Sequence, residues 1–324
     1  MMQNEPTKPM PGIVIPDDFP VVMATSRAYR RLIETTPVAY YNTLPGSEGG
    51  LLERIRDFET VINIRSSTKF TSSIFAGCPQ MKLLSLWGTG TDNVDLAAAT
   101  RHGVTVVNTP GVSATSIAEH ALMLTLAVAR SVVTNHNGVV SGTWPRGQAM
   151  QLHGKTLGVI GLGAIGRRFA KLAEGIGMNV IAWTMHPDPA LAFTLVELDE
   201  LLRTSDVVSV HLRLSDQTTG FIDRARLAMM KPDAILVNTA RGPIVDEAAL
   251  VEALRSGKLA GAGLDVFDIE PLPAGHPLTR LPNAVLTPHS AGITPEVLEA
   301  GLALAIENVR TFQRGKPQNV VVTG

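Results

Sequence analysis

Three side chains with complementary chemistry each follow an apolar run in the C-terminal half of the chain. Arg241 comes just after residues 234–238, Glu270 after 264–267, and His289 after 285–287. An arginine presents a planar fork that grips a carboxylate through two hydrogen bonds. A histidine exchanges a proton near neutral pH, and a carboxylate beside it favours the charged ring. If the three runs are strands of one sheet, the three residues converge on one mouth. Together with a nicotinamide they supply what reduction of a 2-keto acid needs. Arg241 holds the substrate carboxylate and polarises its carbonyl, the cofactor delivers hydride, and His289 protonates the new alkoxide. Each also has an ordinary reading: Arg241 as a turn cap, Glu270 as a loop acid before Pro271, His289 as a surface histidine. His102, His120, His136, His153 and His186 compete, but none follows a strand with an acid partner placed likewise.

A cofactor site is legible upstream. Residues 157–160 read as a buried strand, followed at once by Gly161-Leu162-Gly163-Ala164-Ile165-Gly166. A helix over 167–173, stopped near Gly175 and Gly177, leads to a second strand over 180–183. In that context Gly161 makes the tight turn, Gly163 lets backbone approach a pyrophosphate, and Gly166 lets helix pack on strand. The helix N-terminus then offers N–H groups and a positive dipole end to the phosphates. Further polar residues stand beyond later strands: His211, Thr239-Ala240-Arg241, Asp265 and His289. Thr184 occupies the place where an acid about twenty residues past the turn reads the ribose 2′-OH of NAD. No carboxylate repels a 2′-phosphate there, and no certain cation holds one, His186, Arg167 and Arg168 being the candidates. The expectation is NAD or NADP with weak discrimination, NADP tolerated and slightly favoured.

The elements that must position these groups follow from periodicity. The chain has 324 residues, 45% hydrophobic and 18% charged, with net charge −1 and one cysteine, Cys78. That is room for two domains, with no charge signature for nucleic acid or an acidic membrane surface. A lone cysteine excludes an intramolecular disulfide and a cysteine-based metal site, so no metal is expected. The N-terminus lacks a signal h-region and no run of eighteen apolar residues occurs, so the expected location is the cytoplasm. Residues 1–18 read as a mobile leader. Strands are expected at 19–23, 38–41, 61–64, 83–86 and 104–108, with helices at 26–34, 51–58, 72–76 and 96–101 between them. A long apolar helix over 116–133 marks the crossover into a second domain, followed by a polar stretch over 135–147 with Trp144 as an interface-packing residue. Strands at 207–210, 234–238, 261–265 and 284–287 alternate with helices at 195–203, 223–229 and 246–256, and a helix over 295–312 ends the series. Alternation of this kind gives doubly wound parallel sheets, with ligands beyond the strand C-termini.

The chain resembles the D-isomer-specific 2-hydroxyacid dehydrogenase family, in its phosphoglycerate dehydrogenase and glyoxylate–hydroxypyruvate reductase branch. The resemblance rests on five stretches in order: residues 90–95, 161–166, 237–242 with Val245-Asp246, 263–267 with Glu270-Pro271, and 288–292. It implies an α/β fold of two doubly wound parallel-sheet domains, a Rossmann cofactor domain (113–289) inserted into a flavodoxin-like substrate domain (1–112 and 290–324). It implies Arg241, Glu270 and His289 as the catalytic set. It adds Leu212, Thr218 and Gly292 to the cofactor contacts. Backbone N–H groups at Gly88-Thr89-Gly90 would cradle the substrate carboxylate, and Arg65-Ser66 would also face substrate. Hinges are expected near 109–111 and 288–294, and a homodimer through the cofactor domain. The implied substrate is a small 2-keto or D-2-hydroxy acid: glyoxylate, hydroxypyruvate or 3-phosphoglycerate type. The alternative is a nicotinamide-sensing corepressor or scaffold on the same fold.

Overall fold

The computed structural model describes residues 12–188 and 192–324, which divide into two compact units. One runs up to Ser113 and resumes at Thr294–Gly324, and the other is Ala114–Ile293. The strands are β1 (Ile13–Ile15), β2 (Val38–Tyr40), β3 (Thr60–Asn63), β4 (Leu83–Leu86) and β5 (Thr105–Val107) in the first unit. The second holds β6 (Thr156–Ile160), β7 (Asn179–Trp183), β8 (Thr194–Leu195), β9 (Val207–Val210), β10 (Ile235–Asn238), β11 (Gly261–Leu264) and β12 (Ala284–Leu286). The chain ends in β13 (Val320–Val322), which belongs to the first unit.

In the first unit the order is β13-β5-β4-β3-β1-β2, parallel except for β13, which runs antiparallel to β5. Runs such as Leu83-Leu84-Ser85-Leu86 are buried along their whole length, as expected of strands covered on both faces. The helices start at side-chain caps that accept from the first turn: Ser26, Ser47, Thr71 and Asp95. The helix Pro295–Gln313 packs on this sheet, where Ser85 Oγ donates to the Ala305 carbonyl (3.0 Å). Its Glu299 carboxylate accepts from the Arg27 and Ala28 N–H groups at the start of helix Arg27–Ile33 (3.0 and 2.9 Å). An acid there satisfies orphan donors and the positive dipole end together.

The second unit is a seven-stranded parallel sheet, β12-β11-β10-β9-β6-β7-β8. The order reverses between β6 and β9, the switch point at which such sheets bind ligands. Helices Ala114–Ala129 and Ala164–Gly175 cover one face through Leu124, Phe169 and Ala170. Helices Leu198–Thr204, Arg224–Met229 and Glu247–Arg255 cover the other.

Several expectations change. Residues 1–11 of the expected leader lie outside the described residues. The rest is no leader, since Ile13–Ile15 is a buried inner strand. Three apolar residues between Gly12 and Pro16 are too few to display a period. Residues 19–23 do not form a strand. The buried Asp18 carboxylate accepts from the N–H groups of Val22 and Met23 (both 3.0 Å), curling the segment into a 3₁₀ turn at Met23–Thr25. The long helix over 116–133 is two helices, Ala114–Ala129 and Val132–Val140, bent by 60°. Ser131 sits between them in the left-handed region (φ 49°), which breaks the hydrogen-bond ladder while apolar residues continue past it. Trp144, expected to pack at an interface, is 65% exposed on the single chain. Residues 194–195 are an edge strand against β7 rather than the start of a helix, which begins at Leu198. Among the described residues no single helix is long and apolar enough to cross a membrane.

Candidate active site

Parallel register places three loops side by side. Asn238 pairs with Leu264, and Leu264 with Leu286, so the residues after β10, β11 and β12 leave the sheet at one edge. Asn238, itself 1% exposed, shapes the first loop: its Oδ1 accepts from Ala240 N–H (3.0 Å) and its Nδ2 donates to the Arg241 carbonyl (2.9 Å). This is an Asx-type closure, and it fixes where Arg241 leaves the turn. Arg241 donates to the Ala240 carbonyl (2.7 Å) and its charge acts on Glu270. The next residue has to be glycine. A Cβ on Gly242 would overlap the Phe267 carbonyl group and Asp268 N, so the Arg241 turn lies directly against the loop carrying Glu270. We expect Gly242→Ala to destabilise the fold by about 1–3 kcal/mol, the usual range for overpacking. Urea unfolding checks this, and an unchanged midpoint would mean the two loops separate freely.

Glu270 is held at both oxygens. Oε1 accepts from Phe267 N–H (3.0 Å) and Oε2 lies 2.6 Å from His289 Nδ1. Burial pushes the carboxyl up. The hydrogen bond and charge of His289, the Phe267 N–H and the Arg241 charge outweigh it and hold Glu270 below the ordinary glutamate range. It is therefore ionised at neutral pH and acts as acceptor, so His289 donates from Nδ1 and Nε2 lies outside that pair. His289 adopts φ 51°, an unusual conformation for a residue with a Cβ. Its N–H donates to the Asp265 carbonyl (2.8 Å). Asp265, expected to touch cofactor, is buried and its carboxylate is engaged in the turn. It accepts from Thr287 Oγ1, Ser290 N–H and Ala291 N–H (2.6, 2.9 and 2.9 Å). Gly292, half-buried, ends that turn.

The glycine turn has the shape a dinucleotide requires. Gly161 has φ 101°, and a Cβ on it would come within 2.7 Å of the His211 carbonyl oxygen. A Cβ on Gly166 would overlap the Gly161 carbonyl oxygen, so only glycine lets helix Ala164–Gly175 start this close to β6. Nothing stands near Gly163, which caps that helix, and Ala164 and Ile165 are partly exposed beside it. That cradle fits a pyrophosphate on the helix N-terminus. Thr184 follows β7 and lines a cavity of about 440 Å³ with Trp183, Pro187, Val196, Glu197 and Glu200. Among the described residues no cation lines it, and Arg167 and Arg168 are exposed on their helix.

The other expected contacts are less open. Burial drives His211 down to about 3, so the ring is neutral; it packs on Phe169 and pairs with Ser209 Oγ (2.9 Å). It can hydrogen-bond a ligand but not neutralise one. Leu212, half-buried, packs on the opposite face, in the core under helices Leu198–Thr204 and Glu247–Arg255. Thr218 is buried, and its hydroxyl accepts from Ser215 N–H (2.7 Å) and donates to the Arg213 carbonyl (2.7 Å), so it braces its own loop. Thr239 Oγ1 and His211 Nδ1 are enclosed without a hydrogen-bond partner, and Ala240 is nearly buried beside Thr239.

In the first unit, Gly88 N–H is taken by Thr109 Oγ1 (2.7 Å), leaving Thr89 and Gly90 to offer the N–H groups of that turn. Asn108 Nδ2 braces it through the Thr89 carbonyl (2.8 Å). Arg65 turns inward: its guanidinium meets the Pro20 carbonyl and lies 3.7 Å from the buried Asp18 carboxylate. Ser66 follows on the exposed part of that loop.

The structure gives roles to two residues that the sequence names without one. Asn238 stands inside the 237–242 stretch and closes its turn. His120 is set aside as a competing histidine with no acid partner placed likewise, yet it meets Thr287 and Asp265, far away in the chain where local patterning cannot see them.

Residues 122–291 match the family described as D-isomer specific 2-hydroxyacid dehydrogenase, NAD binding domain. The chain is 40% identical over 274 residues to a D-3-phosphoglycerate dehydrogenase of Archaeoglobus fulgidus, covering 82% of this chain and 52% of that one. The chain thus spans about half the length of that relative. It is 36% identical to a glyoxylate reductase of Korarchaeum cryptofilum, covering 86% of each. Among solved structures it superposes on an NADPH-dependent glyoxylate/hydroxypyruvate reductase of Sinorhizobium meliloti with TM-score 0.85 and 28% identity, over 96% of this chain and 98% of that one.

Proposed function

The chain belongs to the D-isomer specific 2-hydroxyacid dehydrogenase family, and on that premise we propose that it interconverts a small 2-keto acid and the corresponding D-2-hydroxy acid. The observation that carries this is the 2.6 Å Glu270–His289 pair beside the Arg241 loop at one edge of the sheet. Arg241 binds the substrate carboxylate and withdraws charge from its carbonyl oxygen. His289, its Nδ1 fixed by Glu270, presents Nε2 to that oxygen and donates the proton in reduction or accepts it in oxidation. Glu270 stabilises the ring while it is charged. Gly163, Ala164, Ile165 and Gly166 would hold the pyrophosphate, and a reduced nicotinamide bound there supplies the hydride.

The reading is tested by following reduced-nicotinamide absorbance with glyoxylate, hydroxypyruvate, pyruvate and 3-phosphohydroxypyruvate, using NADH and NADPH in turn. No turnover on any pair would sink it. Arg65 already faces Asp18, so that loop offers little uncompensated positive charge to a phosphate. On that ground the unphosphorylated acids are the better substrates.

Both cofactors are used in this reading. Thr184 lacks the carboxylate that would exclude a 2′-phosphate, which admits NADPH and underlies the slight lean toward it. Glu197 and Glu200 on the same cavity work against that lean. The expected kcat/KM ratio for NADPH over NADH is within about tenfold, the span that 1.4 kcal/mol covers. Thr184→Asp shifts it toward NADH by accepting the ribose hydroxyl and repelling phosphate; an unmoved ratio would mean Thr184 does not face the ribose.

A homodimer through the second unit is the proposed assembly. Val132, Val133, Val139 and Val140 are exposed at the two ends of helix Val132–Val140, and Trp144 just beyond it is exposed too, so exposed apolar side chains concentrate on this segment as they do at interaction surfaces. Light scattering should give twice the chain mass, and Val140→Asp with Trp144→Ser should give a monomer. A monomeric wild type excludes the assembly.

A further inference from the structure

We propose that Ser116 and His120, on one face of helix Ala114–Ala129, are positioning residues that hold the His289 turn in its reactive conformation. The inference rests on the dehydrogenase reading only for its kinetic consequence. Residues four apart lie above one another on a helix. Ser116 Oγ donates to the Ala291 carbonyl (2.7 Å), and His120 Nε2 lies 2.9 Å from Thr287 Oγ1 and 3.5 Å from Asp265 Oδ1. The two contacts therefore bracket residues 287–291.

The direction of each bond follows from donor supply. A threonine hydroxyl has one proton. Thr287 Oγ1 gives it to Asp265 Oδ1 at 2.6 Å, because an ionised carboxylate can only accept. The hydroxyl must then accept from His120, which puts a proton on its Nε2. The chain runs from His120 to Thr287 to Asp265, whose two oxygens and carbonyl take the N–H groups of His289, Ser290 and Ala291. His289 sits in that turn at φ 51°, a backbone state that lasts only where surrounding contacts over-determine it. Removing the helix-side donor frees the turn to relax, which moves Nε2 without touching Glu270 or the cofactor cradle. Misplacement of about 1 Å can lower a rate about a hundredfold.

The test uses the full-length protein and four variants. His120→Leu and Thr287→Val delete the donor chain at similar volume, while His120→Gln and Thr287→Ser keep an N–H or O–H. For the two deletions kcat in keto-acid reduction should fall about ten- to a hundredfold. Nicotinamide affinity by fluorescence titration should stay near wild type, and amide exchange at residues 289–291 should quicken. The Gln and Ser variants should recover most of the rate. Wild-type kcat and protection in either deletion overturns the proposal, as does a Gln or Ser variant no better than its deletion. If the wild type turned over no acid, the dehydrogenase reading would fall, and the exchange measurement would still decide whether His120 holds the turn.

Discussion

His289→Ala is expected to lower kcat for keto-acid reduction by about two to four orders of magnitude, the usual worth of a positioned general acid. The substitution leaves Arg241, the glycine turn and the sheet intact, so cofactor binding and the unfolding midpoint should stay close to wild type. Wild-type-like turnover in that variant would remove His289 from the mechanism. Its partner is read through pH. Glu270 is held below the ordinary glutamate range because the His289 hydrogen bond and charge, the Phe267 N–H and the Arg241 charge together outweigh burial. A depressed carboxylate keeps its stabilising charge above that range and loses it as pH falls through its lowered value. The acid limb of activity assigned to Glu270 should therefore lie at lower pH than an exposed glutamate would give. Glu270→Gln removes the charged acceptor at His289 Nδ1, so kcat for reduction should fall about ten- to a hundredfold, a hydrogen bond to a charged group being worth about 1.5–3 kcal/mol. Unchanged turnover contradicts the pairing.

Arg241→Lys tests geometry against charge. Lysine retains the positive charge but not the fork, and hydrogen bonds to charged groups are worth about 1.5–3 kcal/mol each. Losing the second bond to substrate should lower kcat/KM by about ten- to a hundredfold on that scale. The loss should appear as a raised KM together with a lowered kcat, because the contact serves ground and transition states alike. Nicotinamide titration should be unaffected. Equal loss of cofactor and substrate affinity would mean that Arg241 holds its loop, beside Gly242 and Phe267, rather than the substrate.

Much of this protein was written locally. The glycine turn, the helix after it and the recurring apolar runs each occupy a few neighbouring residues, so backbone sterics and side-chain periodicity reveal them without tertiary information. The same holds for Arg241, Glu270 and His289, since a residue just past a parallel strand necessarily emerges at the ligand-binding edge. What resisted reading was non-local. β1 is three residues whose burial comes from pairing with β2 and β3. The break at Ser131 is a single left-handed residue inside an apolar run that periodicity carries across. Residues 194–195 become a strand only because β7 offers an edge. Asp265 looked like a ligand contact, yet the turn after β12 folds back onto its carboxylate. Arg65 looked available for substrate, yet Asp18 lies beside it from a segment read as leader. The sequence by itself determined which polar side chains stand just past which strands. Only the tertiary structure decided which polar groups are already spent on one another, because hydrogen bonds between residues distant in the chain leave no periodic trace in it.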